Sequence, residues 1–139
     1  MCTTDVGNLS VLKCMQSFME AGYLVSLPFG DGCPYDLVTD SRERLYRVEC
    51  KTARLRSDGV IEFWMKSNNG RWFQTGGSRL YTEKVDLLAA YCPETDKVYV
   101  IAPEHLSQGL IRLRVSPTAN NQTKRIHWAR DYEIHALTL

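Results

Sequence analysis

Asp36, Glu49 and Lys51 are the residues of this chain whose types and spacing could do chemistry together. They lie between Pro34 and Lys51, in two apolar-flanked runs separated by the polar turn Ser41-Arg42-Glu43-Arg44. That pattern predicts a β-hairpin. Side chains alternate along a strand, so Leu45, Arg47, Glu49 and Lys51 share one face, while Tyr46, Val48 and Cys50 form the core face. Asp36 sits near the start of the first run, where antiparallel pairing brings it across from Glu49 and Lys51. Two converging carboxylates repel each other, and a divalent cation removes the repulsion. Mg²⁺ is usually held by one or two carboxylates while keeping waters and reaching substrate phosphates. Lys51 is then placed to contact a scissile phosphate or its attacking water. The chemistry is metal-assisted phosphodiester hydrolysis, with Mg²⁺ as the expected ion and Mn²⁺ expected to substitute.

Other elements must position these residues. Leu9, Leu12, Met15, Phe18 and Met19 recur three or four apart, which predicts an amphipathic helix over 8–21. Asn8 reads as its N-cap and Gly22 as its stop. A short strand is expected from Tyr23 to Leu27, ended by Pro28. A further strand is expected at Val60–Lys66, with Ile61, Phe63 and Met65 toward the core. Residues 67–80 read as a long polar loop, in which Arg71, Trp72, Gln74 and Arg79 are candidates for phosphate or base contacts. Val85–Cys92 and Val98–Ile101 flank the turn Pro93-Glu94-Thr95-Asp96 and predict a second hairpin. The continuous run Leu87–Tyr91 predicts a strand buried on both faces. Pro103–Gln108 reads as one helical turn and Leu110–Val115 as a last strand. The tail, about 116–139, is expected to pack on the body or at a subunit interface.

Several acids and histidines have plainer readings. Asp31 and Asp40 sit in turns, where Asp caps its own backbone. Asp86 reads as a structural residue more than a helper of the site, and Glu20 as a surface residue. His105, His127 and His135 are too dispersed for a metal trio.

With 139 residues, 44% of them apolar and 24% charged, the composition is that of one ordinary globular domain. A core of this size leaves room for assembly into an oligomer. No long apolar run predicts a membrane span, and no basic-then-apolar leader stands at the N-terminus. Five scattered cysteines without a Cys-x-x-Cys pair argue for a reducing, intracellular and cytoplasmic setting and against zinc. The net charge of +1 hides an uneven distribution: residues 42–84 carry ten Lys/Arg against five Asp/Glu, and residues 1–41 one against five. Positive surface of that kind binds phosphate backbones.

Pro34-Tyr35-Asp36 followed by Glu49-Cys50-Lys51 resembles the PD-(D/E)XK nuclease motif. Arg47-Val48-Glu49-Cys50-Lys51-Thr52, Tyr91-Cys92-Pro93-Glu94-Thr95-Asp96-Lys97-Val98-Tyr99 and the segment around Trp128-Ala129-Arg130-Asp131-Tyr132-Glu133 are similar to one branch of it. That branch comprises small endonucleases related to cyanobacterial group I intron homing endonucleases. The likeness runs from about Gly7 to Ile134. Two positions depart from the motif. Tyr35 separates Pro34 from Asp36, and Val11 stands where a first-helix Glu would help to hold the metal.

The resemblance implies an α/β (α+β) restriction-endonuclease-like core, a central mixed sheet flanked by helices. It implies a metal-dependent DNA endonuclease acting as a dimer or tetramer. Asp36, Glu49 and the Cys50 carbonyl would hold the ion, and Lys51 would steady the water or phosphate. Arg47, Arg54, Arg56, Lys66, Arg71, Gln74 and Arg79 are the expected DNA contacts. The usual helix between the third and fourth core strands is not evident, unless a short one lies around Tyr81–Val85. Two alternatives stay open: a structure-specific nuclease resembling Holliday-junction resolvases, and a nucleic-acid-binding module on the same fold that does not cut.

Overall fold

The computed structural model describes residues 1–65, 84–102, 109–121 and 123–137. The chain opens with helix α1 (Thr3–Glu20) and strand β1 (Leu24–Ser26). The hairpin β2 (Leu37–Asp40) and β3 (Leu45–Thr52) follows. Next come β4 (Arg54–Leu55) and β5 (Val60–Trp64). The second hairpin is β6 (Leu87–Cys92) and β7 (Lys97–Ile101), and β8 (Leu110–Arg114) is last. The main sheet has the order β1-β2-β3-β6-β7, and a smaller sheet has the order β4-β5-β8. All pairings are antiparallel except β3 with β6, so the main sheet is mixed, in an α+β fold.

The main sheet is covered on both faces. α1 lays Cys14 and Phe18 over Leu37, Val48, Leu87 and Ala89 on one side. The small sheet lays Ile61, Phe63, Leu113 and Ile111 over Leu88, Ala90, Tyr99 and Ile101 on the other. Every residue of β6 is therefore buried, as its unbroken apolar run requires. Burying one such large side chain is worth about 1.5–3 kcal/mol, and truncating Leu88 to Ala would cost about 2–5 kcal/mol.

α1 starts five residues before the predicted boundary. Cys2 occupies the N-cap position without a side-chain cap bond, and Asn8 lies inside the helix. Residues 3–7 carry no apolar period because that turn faces water, yet Asp5 in the first turn complements the helix dipole. The predicted stop is in place: Gly22 takes φ 93°, and the Gly22 and Tyr23 N–H groups donate to the Met19 and Phe18 carbonyls.

β4 was not foreseen. It forms because β3 runs on past Ala53 and its continuation pairs with β5, Arg54 opposite Glu62. The turn back requires Gly59, at φ 77°, where a Cβ would lie 2.6 Å from the Cβ of Ser116. Ile61, Phe63 and Met65 are buried as expected. The tail packs on the body through a parallel bridge of Trp128 to Arg114, an antiparallel bridge of Glu133 to Tyr99, and the buried Ala129. The loop at 67–80, the helical turn Pro103–Gln108 and most of the Tyr81–Val85 segment lie outside the described residues. Among the described residues no helix is long and apolar enough to cross a membrane. All five cysteines are free thiols.

Candidate active site

Register brings the three predicted residues together. Leu37 pairs with Val48 as the last pair of the ladder, and Asp36 lies one residue beyond it, close enough to Glu49 for the two charges to interact. Two hydrogen bonds fix it against β3, one residue out of the ladder's register. The Asp36 N–H donates to the Val48 carbonyl at 2.9 Å, and the Cys50 N–H donates to Asp36 Oδ2 at 2.8 Å. The Asp36 carboxylate thus takes the place of a main-chain acceptor where β2 has not yet begun, and its position is set by backbone.

Glu49 and Lys51 pair in parallel register with Leu88 and Ala90 of β6, both of which belong to the core beneath the small sheet. Their own face is therefore walled by apolar side chains. The Glu49 and Lys51 side chains keep only 10% and 16% exposure, and Lys51 Nζ lies 2.7 Å from Glu49 Oε1. The other oxygen, Glu49 Oε2, is buried and has no hydrogen-bond partner. Burial pushes the Glu49 carboxyl above its ordinary range. The Lys51 charge opposes that shift, and the Asp36 charge adds to it. Asp36 is also raised, chiefly by burial, against the Cys50 N–H and the Lys51 charge.

A buried carboxylate oxygen without a partner costs several kcal/mol unless something cationic or donating meets it. Glu49 Oε2 and the facing Asp36 therefore have the chemistry of a site for a small hard cation. Among the described residues no group of three His, Cys, Asp or Glu could hold a metal ion, so this would be a two-carboxylate site. Val11, at the departing first-helix position, packs against the core on the α1 side. Glu20 accepts a bond from Gln16 at 2.8 Å on the exposed helix surface.

The remaining sequence candidates divide. Arg47 is held by Asp86 through Nε at 3.0 Å and Nη2 at 3.1 Å, and its N–H donates to the same carboxylate at 2.8 Å. The guanidinium holds the Asp86 carboxyl below its ordinary range, so Asp86 is a structural staple. Asp40 Oδ1 accepts the Arg42 N–H at 2.7 Å, the turn cap predicted for it. Arg54 faces Glu94 at 3.8 Å and Arg56 faces Glu62 at 3.2 Å. Lys66, Arg71, Gln74 and Arg79 lie outside the described residues. Two features were missed. Ser10 Oγ lies 2.6 Å from Thr52 Oγ1, tying α1 to the strand end beside Lys51. Arg112 is brought by register opposite Glu62. Neither has a sequence signal, since each depends on contacts between distant segments.

The family model of the PD-(D/E)XK endonucleases matches residues 1–135. Among solved structures, a bacterial homing endonuclease, I-Ssp6803I, aligns with a TM-score of 0.67 at 21% identity, over 95% of this chain and 87% of that one. That likeness establishes a shared restriction-endonuclease-like fold. No curated protein matches the chain.

Proposed function

The chain belongs to the PD-(D/E)XK endonuclease family, and from that premise we propose that it hydrolyses DNA phosphodiester bonds with a divalent ion, Mg²⁺ or Mn²⁺, held by Asp36 and Glu49. The observation that carries the proposal is the buried, unpartnered Oε2 of Glu49 facing a second carboxylate. The Cys50 carbonyl is the proposed third protein ligand. A divalent ion held there would lower the pKa of a bound water and stabilise the charge that develops on the phosphate.

The chain's own residues do the rest. The Cys50 N–H engages Oδ2 of Asp36 and fixes that carboxylate's direction. The apolar wall of Leu88 and Ala90 keeps Glu49 poorly hydrated, so its affinity for a cation is high. Lys51, held beside Glu49, offers an ammonium to the scissile phosphate or to the attacking water. Water is the nucleophile, so no covalent intermediate forms on the protein. Cutting both strands needs two such sites, which supports a symmetric dimer or tetramer.

The test is conversion of supercoiled plasmid to nicked and linear forms. The parent protein should cut with Mg²⁺ and not with EDTA, and Lys51→Ala should bind DNA without cutting. Val11 favours a second reading, a DNA-binding module that no longer cuts, because the first helix has no acid at that position. Binding without cutting by the parent protein in both Mg²⁺ and Mn²⁺ would select that module. Preference for four-way junctions over linear duplex would select a resolvase-like enzyme.

A further inference from the structure

The small sheet β4-β5-β8 buries one face and shows the other to water. Ile61, Phe63, Ile111 and Leu113 point into the core. Alternation therefore sends Arg54, Glu62, Trp64 and Arg112 outward. Register sets Arg54, Glu62 and Arg112 in one row across the three strands. Arg56, just past β4, reaches the same carboxylate.

Glu62 is divided between Arg56 Nε at 3.2 Å and Arg112 Nε at 3.3 Å. The side chains of Arg54, Arg56 and Arg112 are 46%, 59% and 66% exposed, whereas Glu62 is 19% exposed. Trp64 beside them is 56% exposed. A merely solvated face mixes signs and avoids exposed tryptophan. This one has three guanidiniums to two carboxylates, Glu62 and, 3.8 Å from Arg54, Glu94, and a large aromatic that costs free energy in water. Guanidinium is the side chain that matches phosphate bidentately. Arginine beside exposed aromatics is a composition suited to sugar-phosphate surfaces.

We infer that this face docks the phosphate backbone of the duplex DNA, with Arg54, Arg56 and Arg112 as its contacts and Glu62 as the charge that weakens it. The inference rests on DNA being the substrate of this site. The strand itself links the two. Lys51 and Arg54 are three residues apart along β3 and β4, at most about 10 Å of chain, or roughly three base-pair rises. Alternation turns Lys51 to one side and Arg54 to the other. The strand thus separates the proposed site from the arginine face, and in the inferred complex a duplex that reaches Lys51 crosses the strand onto that face.

The test is binding of a fluorescein-labelled linear duplex by anisotropy across a salt series, with Ca²⁺ in place of Mg²⁺. Arg56→Ala and Arg112→Ala should each flatten the slope of log K against log[salt] by about 0.9. Glu62→Gln should bind more tightly than the parent protein. Partial unfolding cannot produce tighter binding, so that arm stands even if an arginine variant disturbs the sheet. Parent-like slopes in both arginine variants, or a Glu62→Gln protein no tighter than the parent, overturn the inference. So does a change in sedimentation at parent-like DNA affinity, which would make the face a contact between copies. Plasmid cleavage by the parent protein separates the two readings. Normal cleavage with unchanged slopes removes this face alone. Lost cleavage with altered slopes removes the nuclease reading and leaves the DNA face.

Discussion

Replacing Lys51 by Met should destabilise the protein at neutral pH by about 3 kcal/mol, and acidification should remove most of that deficit. Lys51 Nζ lies 2.7 Å from Glu49 Oε1, and both side chains are largely buried. Removing one partner of a buried pair costs about 3–5 kcal/mol, and the residual exposure here places the loss at the low end. Methionine keeps most of the volume, so a cavity contributes little. The Glu49 carboxyl is already raised from its ordinary value of 4.5 by burial. Without the ammonium it rises further. A raised native carboxyl binds more protons than the unfolded one between the two pKa values, so stability falls as pH rises through that window. The variant has the higher native value and therefore gains more than the parent when the pH is lowered toward the ordinary value. For a chain of 139 residues a loss of this size lowers Tm by roughly 10 °C. Melting by circular dichroism without divalent ions, at about pH 7.5 and about pH 5, reads the gap between parent and variant. A narrowing gap is expected. A gap that is constant or wider at low pH, or a variant as stable as the parent at neutral pH, refutes the reasoning.

Asp36→Asn keeps an acceptor for the Cys50 N–H, so its melting loss should stay within about 1 kcal/mol. Plasmid cleavage should fall at least about 100-fold, because a metal ligand is lost. In the protein without divalent ions, Asp36 and Glu49 should both titrate above the ordinary carboxylate range in an NMR pH series, since burial raises both; titration at or below that range would argue against their burial. Asp86→Asn should cost about 1 kcal/mol at neutral pH, a value reduced for the partial exposure of Arg47. Because the Asp86 carboxyl is lowered in the native state, that difference should persist down to about pH 4 and vanish below its depressed value, as pH-dependent melting would show.

The parts of this fold with a strict period were legible beforehand. The two-residue alternation of Leu45–Lys51 predicted that Glu49 and Lys51 share a face, and the ladder bears that out. The apolar run of β6 predicted burial on both faces. Register was only partly legible: bringing Asp36 near Glu49 required the hairpin to close on Ser41–Arg44, a turn whose residues signal it, whereas the one-residue slip of Asp36 onto the Val48 carbonyl has no sequence signal. What stayed hidden was set by long-range contact. The first turn of α1 carries no apolar period. β4 is two residues long and exists only because β5 lies beside it. Arg112 lies in a charge-balanced stretch and joins the arginine row only through β5–β8 pairing. The depth of Glu49 depends on the small sheet covering Leu88 and Ala90, which no local pattern around Glu49 reveals.

The most direct test of a divalent ion between Asp36 and Glu49 is anomalous diffraction from crystals grown with Mn²⁺ and duplex DNA. An anomalous peak within coordination distance, about 2.0–2.2 Å, of both carboxylates and beside a backbone phosphate is the predicted result. A map with Mn²⁺ bound elsewhere, and the space between those carboxylates filled by the Lys51 ammonium alone, would contradict it.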